Sequence, residues 1–190
     1  GGKELLKNGK AHRYVIDFQL RSVVESQAYR LPFAHVKAKV LPYVERLVQD
    51  EQQKTGKVTG QDQGWLNTWW HHFRPRSELI GKISELNRYL VCSRVTKRPI
   101  FMFVTSVIRP SDALSCFVLD DDYSFGILQS KAHYAWFHAK CSHMKSDPRY
   151  TSDSVFATFP WPQSPSEQDV RAVAEAAKEV RQIRQSSANN

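Results

Sequence analysis

Ile100-Phe101-Met102-Phe103-Val104 and Leu114-Ser115-Cys116-Phe117-Val118-Leu119 stand on either side of Pro110-Ser111-Asp112. Both runs are rich in β-branched and aromatic residues, and the triplet between them is made of turn residues, so together they predict two strands. Tyr89-Leu90-Val91-Cys92 predicts a third, and a sheet follows. Just before it, Ser77-Glu78-Leu79-Ile80 opens a short helix that reaches to about Asn87, with the serine as its cap. Beyond the sheet, Phe125, Leu128, Ala132, Ala135, Trp136 and Ala139 recur at steps of three and four, the apolar stripe of a buried helix over 124–141, with Gly126 as its weak point. The segment from Ser166 predicts a terminal helix whose charges suit its dipole, Glu167 and Asp169 in the first turn and Arg181 and Arg184 in the last.

Toward the amino terminus, Arg13-Tyr14-Val15-Ile16-Asp17-Phe18 predicts a strand. Residues 22–53 carry Val36, Val40, Tyr43, Val44 and Leu47 at helical spacing, with Pro32 near a helix start and Pro42 as a break or kink. Residues 54–64 are polar and glycine-containing and predict a loop. Residues 156–161 predict a last strand that ends at Pro160 and Pro162. The expected class is α/β (α+β): a small mixed or antiparallel sheet with packed helices and a C-terminal helix.

The chain has 190 residues, 41% hydrophobic, enough for one ordinary core plus a helical appendage. No apolar run reaches the roughly 18 residues of a membrane span, and Gly1-Gly2-Lys3-Glu4 lacks the layout of a signal peptide. Cys92, Cys116 and Cys141 are odd in number and form no CxxC pair, against both a disulfide framework and a zinc finger; a reducing cytoplasm fits. The net charge of +8 favours polyanionic partners, although a solvated basic surface has the same composition. Residues 1–60 hold 11 basic and 6 acidic side chains and residues 61–110 hold 8 and 3, against 4 and 6 over 111–165, so the positive field is expected from the first 110 residues.

Five segments in order, Trp69-Trp70-His71-His72-Phe73-Arg74-Pro75-Arg76, Asn87-Arg88-Tyr89-Leu90-Val91, Tyr123-Ser124-Phe125-Gly126-Ile127-Leu128-Gln129-Ser130, Met144-Lys145-Ser146-Asp147-Pro148-Arg149-Tyr150 and Thr158-Phe159-Pro160-Trp161-Pro162, resemble the carboxy-terminal part of MmeI-like (type IIL) restriction-modification proteins and related adenine methyltransferases. The resemblance covers nearly the whole chain. It implies a DNA target-recognition domain over 1–163 and a helix over 164–185 that docks on it, while residues 186–190 read from the sequence as a disordered tail. The catalytic methyltransferase domain would lie upstream, so no catalytic residue and no cofactor are expected in this stretch, with S-adenosylmethionine bound by the parent enzyme. Asp147-Pro148-Arg149-Tyr150 comes close to the (Asp/Asn)-Pro-Pro-(Tyr/Phe) loop that holds a flipped base, but arginine replaces the second proline and no glycine-rich strand-to-helix turn accompanies it.

The resemblance further implies that Lys145, Ser146, Asp147 and Arg149 reach base edges, with a second point of contact at Asp112 and Ala113. Lysine donates to guanine O6 and N7 while an aspartate two residues on accepts from the cytosine amine, so Lys145 and Asp147 suit one G·C pair. Arg149, a planar fork, suits a second guanine or a contact beside Ala113. Pro148 departs from the pattern and stiffens this stretch. Arg88, Arg94, Lys97, Arg98 and Arg109 form a run without an acidic residue and suit phosphates, as do Arg74 and Arg76. Trp69 and Trp70 read as packing. His138, Cys141 and His143 lack a fourth ligand and predict no metal site. Asp120-Asp121-Asp122 reads as a turn that starts a helix. The partner is then double-stranded DNA, beside the upstream methyltransferase domain of the parent chain, with no membrane involved; the rival from another class is a basic protein-protein or interdomain interaction module without sequence-specific DNA binding.

Overall fold

The computed structural model describes Leu5, Ala11 and residues 13–144 and 147–188. It divides into two compact units, one of Gly1–Arg13 with Leu79–Asn190 and one of Tyr14–Glu78.

The second unit is helical, with α1 (Val23–Gln27), α2 (Arg30–Lys39), α3 (Leu41–Thr55) and α4 (Gly60–Asn67). Ser22 and Glu25 start α1 with a reciprocal capping box, the Ser22 N–H donating to the Glu25 carboxylate at 2.7 Å and the Glu25 N–H to the Ser22 hydroxyl at 3.3 Å. Val40 separates α2 from α3, and Pro42 falls in the first turn of α3, where its missing N–H costs nothing. Gly56, at φ 70°, closes α3 in the left-handed conformation. The polar stretch expected as a loop contains α4 instead, because the Thr59 hydroxyl caps it by accepting from the Asp62 N–H at 3.2 Å. Residues 13–18 form no strand: Tyr14, Val15 and Ile16 are exposed and only Phe18 is buried. Strand propensity expresses itself through packing on a pleated neighbour, and here the side chains have none. Phe18 joins Phe33 and Val36 in a small core on which Trp69 and Trp70 pack, and the Trp70 indole N–H donates to the Arg21 carbonyl at 2.9 Å.

The first unit is mixed α/β. After α5 (Ser77–Ser84), the strands β1 (Arg88–Ser93), β2 (Met102–Thr105) and β3 (Leu114–Phe117) form an antiparallel three-stranded sheet in the order β2-β1-β3. Four consecutive residues of β1, Tyr89 to Cys92, are fully buried because both faces of the central strand are covered. Leu90 and Cys92 point into a core with Phe101, Phe117, Phe125 and Phe137, while Tyr89 and Val91 point into another with Ile83 and Leu114. Each such aliphatic side chain contributes about 1.5–3 kcal/mol of burial.

The helix expected over 124–141 is two helices, α6 (Asp122–Gln129) and α7 (Lys131–Lys140). Ser130 breaks them with an extended ψ of 161°, and its hydroxyl accepts from the His133 N–H at 3.2 Å to restart the helix. A two-stranded hairpin follows, β4 (Ser142–Met144) with β5 (Asp147–Arg149), then a π-helical turn (Ser152–Phe156). The strand expected over 156–161 is absent. Pro160 and Pro162 cannot donate to a ladder, and Phe156 and Phe159 instead pack edge-on to Trp161, which lies with Phe156 against the larger core.

The terminal helix α8 (Glu167–Ala188) docks on α6. Gly126 makes the contact close: a Cβ there would lie 2.7 Å from Val173 Cγ1 and 3.1 Å from the Val173 carbonyl oxygen. The glycine that weakens the helix on propensity is therefore what admits its partner. Arg184 of α8 donates to the Phe101 carbonyl at 3.2 Å. Among the described residues no helix is long and apolar enough to cross a membrane.

Candidate nucleic-acid interface

Beyond Ser93 the chain of β1 goes on bonding without the full sheet. The Arg94 N–H donates to the Ala113 carbonyl at 2.9 Å, and the Arg94 carbonyl accepts from the Tyr150 N–H at 2.8 Å. One residue further, Val95 bridges Arg149, and the Thr96 N–H donates to the Pro148 carbonyl at 3.0 Å. The stretch after β1 thus runs between the start of β3 and the strand β5. Asp112 and Ala113 end up on one side of Arg94, and Asp147 and Arg149 on the other.

These residues and Lys97 line one open groove of about 620 Å³. The Arg94 guanidinium reaches Asp112 Oδ1 at 2.9 Å; the arginine side chain is 25% exposed and the aspartate 80%. Asp147 and Ala113 are exposed and Arg149 is half-buried. Among the described residues Arg149 Nε has no hydrogen-bond partner although it is shielded from solvent. Pro148 fits its place, since only its carbonyl is required there and a proline supplies that. Lys145 and Ser146 lie outside the described residues.

Tyr150 fastens this edge to the core. It is buried, stacks on Phe137 with ring centroids 5.8 Å apart and sits edge-on to Phe117 at 5.5 Å. Its phenol oxygen is 3.0 Å from His133 Nε2, and its carbonyl accepts from the Ser115 hydroxyl at 3.3 Å. Burial pushes the Tyr150 phenol well above its ordinary value and lowers the His133 imidazole to about 4, so both are neutral at pH 7. Tyr150 stood in one of the word-like segments of the sequence without a role. Its aromatic character next to Arg149 was the available signal, but nothing local pairs it with His133.

The other basic side chains are dispersed. Arg88 is apart from the groove: its Nε donates to the Asp120 carbonyl at 2.9 Å, its Nη2 pairs with Asp122 at 3.2 Å, and its guanidinium lies 3.9 Å from the centre of the Phe103 ring. Arg181 of α8 pairs with the same Asp122. Burial pushes the Asp122 carboxyl up, yet the hydrogen bonds and charges of the two arginines outweigh it and hold it below the ordinary range. Asp121 caps α6 by accepting from the Ser124 N–H at 2.7 Å, so the aspartate triplet starts a helix as expected. Lys97 and Arg98 are exposed, with Arg98 5.8 Å from the Tyr134 ring centre, while Arg109 is half-buried. Arg74 and Arg76 belong to the helical unit and are exposed, Arg74 lying 5.5 Å from the Phe73 ring centre. Cys141 Sγ is 3.9 Å from His143 Nε2, and among the described residues no three His, Cys, Asp or Glu side chains are grouped to hold a metal ion.

Residues 79–163 match the sequence model of the MmeI target recognition domain. Over 98% of its length the chain also superposes on a solved structure described as type IIL restriction-modification enzyme MmeI in complex with DNA, with a TM-score of 0.70 at 22% identity. The chain spans 23% of that protein. No curated protein matches the sequence.

Proposed function

We propose that the chain is the part of a restriction-modification enzyme that recognises a specific double-stranded DNA sequence, so that a methyltransferase domain elsewhere in the parent can flip an adenine and methylate its N6 amine. The observation that carries this reading is the groove itself: within the segment that matches the target-recognition model, Asp112, Ala113, Asp147 and Arg149 converge on the two sides of Arg94. S-adenosylmethionine would be held by the parent's catalytic domain, which is the other partner, in the cytoplasm. The recognition domain and α8 act as one piece in this account, because the close approach at Gly126 seats the helix on the domain.

Lys145 and Asp147 read one G·C pair by donating to guanine and accepting from the cytosine amine, with Ser146 beside them. Arg149 donates to a guanine next to the small side chain of Ala113. Lys97 and Arg98, both exposed, meet phosphates and fix the register, and Arg109, Arg74 and Arg76 supply further phosphate contacts. Arg88 is better used where it stands, on Asp122.

The test is selection of a random duplex library on the chain at low and moderate salt, with sequencing of what is retained. An enriched motif altered at one base pair by joint replacement of Lys145 and Asp147 supports recognition. Retention without any motif, or no retention at low salt, would count against it and favour a protein-docking module.

A further inference from the structure

We infer that the outer face of α7, together with Arg98 and Arg184, is a second DNA-binding surface: a strip continuous with the groove that holds backbone phosphates and reads no bases. It deepens the recognition reading above and rests on it for its ligand, duplex DNA.

The count of 4 basic and 6 acidic residues over 111–165 hides a segregation, because all six acids lie before residue 123 or after residue 146. The helix α7 falls wholly in the acid-free stretch between them. It buries His133 and Phe137 and exposes Lys131, Tyr134 and His138, which share one face at steps of three and four. Ala132, Ala135 and Ala139 beside them are exposed and small, so nothing holds a bulky polyanion away. A protein partner would call for large apolar anchors at the centre of its contact, and this face has none. From Lys131 to His138 the helix rises about 10 Å, the span of about three phosphates along one DNA strand.

Arg98 joins this face to the groove. Its neighbour Lys97 lines the groove, and the Thr96 whose N–H donates to Pro148 also brackets Arg98: the Thr96 hydroxyl accepts from the Arg98 N–H at 3.1 Å and donates to the Arg98 carbonyl at 2.7 Å. The Arg98 guanidinium lies 5.8 Å from the Tyr134 ring centre, and that ring meets His138 edge-on at 4.6 Å. Arg184 of α8 is near the same cation: burial, and then the charge of Arg98, hold its guanidinium below its ordinary value. Its bond to the Phe101 carbonyl uses a single N–H of the fork. Among the described residues no carboxylate forms an ion pair with Arg98, Arg184 or Lys131. Two guanidinium groups brought together without a carboxylate repel, and a phosphate between them removes that cost.

The experiment titrates the 190-residue chain onto a fluorescently labelled random-sequence duplex of about 20 base pairs, two helical turns, over a range of salt. Lys131→Gln should weaken binding about threefold and lower the salt slope by about one, and the double variant with Arg184→Gln should lose about tenfold and about two. Base preferences in the library selection stay as they are, since phosphate contacts carry no sequence. Lys54→Gln makes the same charge change on an exposed lysine of the helical unit and should leave affinity and slope nearly unaltered. Equal effects of Lys54→Gln and Lys131→Gln would reduce the strip to net charge and overturn the inference. So would unchanged DNA affinity in the double variant, the result expected if this face docks an acidic protein. Lys131 is exposed, so its single variant decides the matter even if Arg184→Gln does not fold. A wild-type chain that gives these slopes yet enriches no motif defeats the recognition reading alone, and one that binds no duplex at low salt defeats both.

Discussion

Asp122 and Asp112 are both aspartates paired with arginine in the same α/β unit, yet their surroundings differ. The Asp122 side chain is 13% exposed, faces Arg88 and Arg181, and has Phe103 beneath both guanidinium groups. Asp112 is 80% exposed and opens onto a groove. With its carboxylate largely covered, the first cluster joins β1, α6 and α8. The second is open to water, where we propose that it meets DNA. What separates the two aspartates is burial, and the count of basic residues along the chain is blind to it.

The largest effect that sharpens this contrast is expected at the buried end. Asp122→Asn leaves two arginines without their carboxylate and should lower unfolding free energy by about 3 kcal/mol in urea titration, with faster hydrogen exchange along α8. An effect no greater than that of an exposed pair would break the comparison.

His133 carries the contrast to a group deeper still. Its folded pKa of about 4 lies below the ordinary 6.5, so the unfolded chain takes up the proton first as pH falls. Stability is complete above about pH 6.5 and declines by up to about 3 kcal/mol on the way down to pH 4, and that part of the slope should vanish in His133→Leu. Stability measured across this range in both proteins checks it.

Gly126→Ala places a methyl group against Val173 and should cost about 1–3 kcal/mol by overpacking, with partial relief when Val173→Ala is added. Thermal unfolding of the single and double variants reads this directly. The smallest stability effect belongs to the groove: Asp112→Ala should change unfolding by less than about 1 kcal/mol, however strongly it alters base preference.

Much of the fold was legible because its signals are local. The three runs that predict strands form β1, β2 and β3, and the charge-matched terminal segment forms α8. Failures came where a local signal met a tertiary fact. Residues 13–18 have strand composition but no strand beside them, and the single stripe over 124–141 spans two helices because both present their apolar faces to one core across Ser130.

The candidate site was legible only through resemblance. Asp112 and Asp147 are far apart in sequence, and what brings them to one groove is the bonding of Arg94 to Ala113 and Tyr150, which no periodicity announces. Arg88 and Arg94 look alike in a run of basic residues. Only the covered position of Asp122 distinguishes them.

The most direct test of the account is the base preference of Asp112→Asn and Asp147→Asn measured side by side with the wild-type chain in the duplex selection. The account predicts that the two changes relax different base pairs of one motif. A motif left intact by both, or a uniform loss of binding to every sequence, would contradict it.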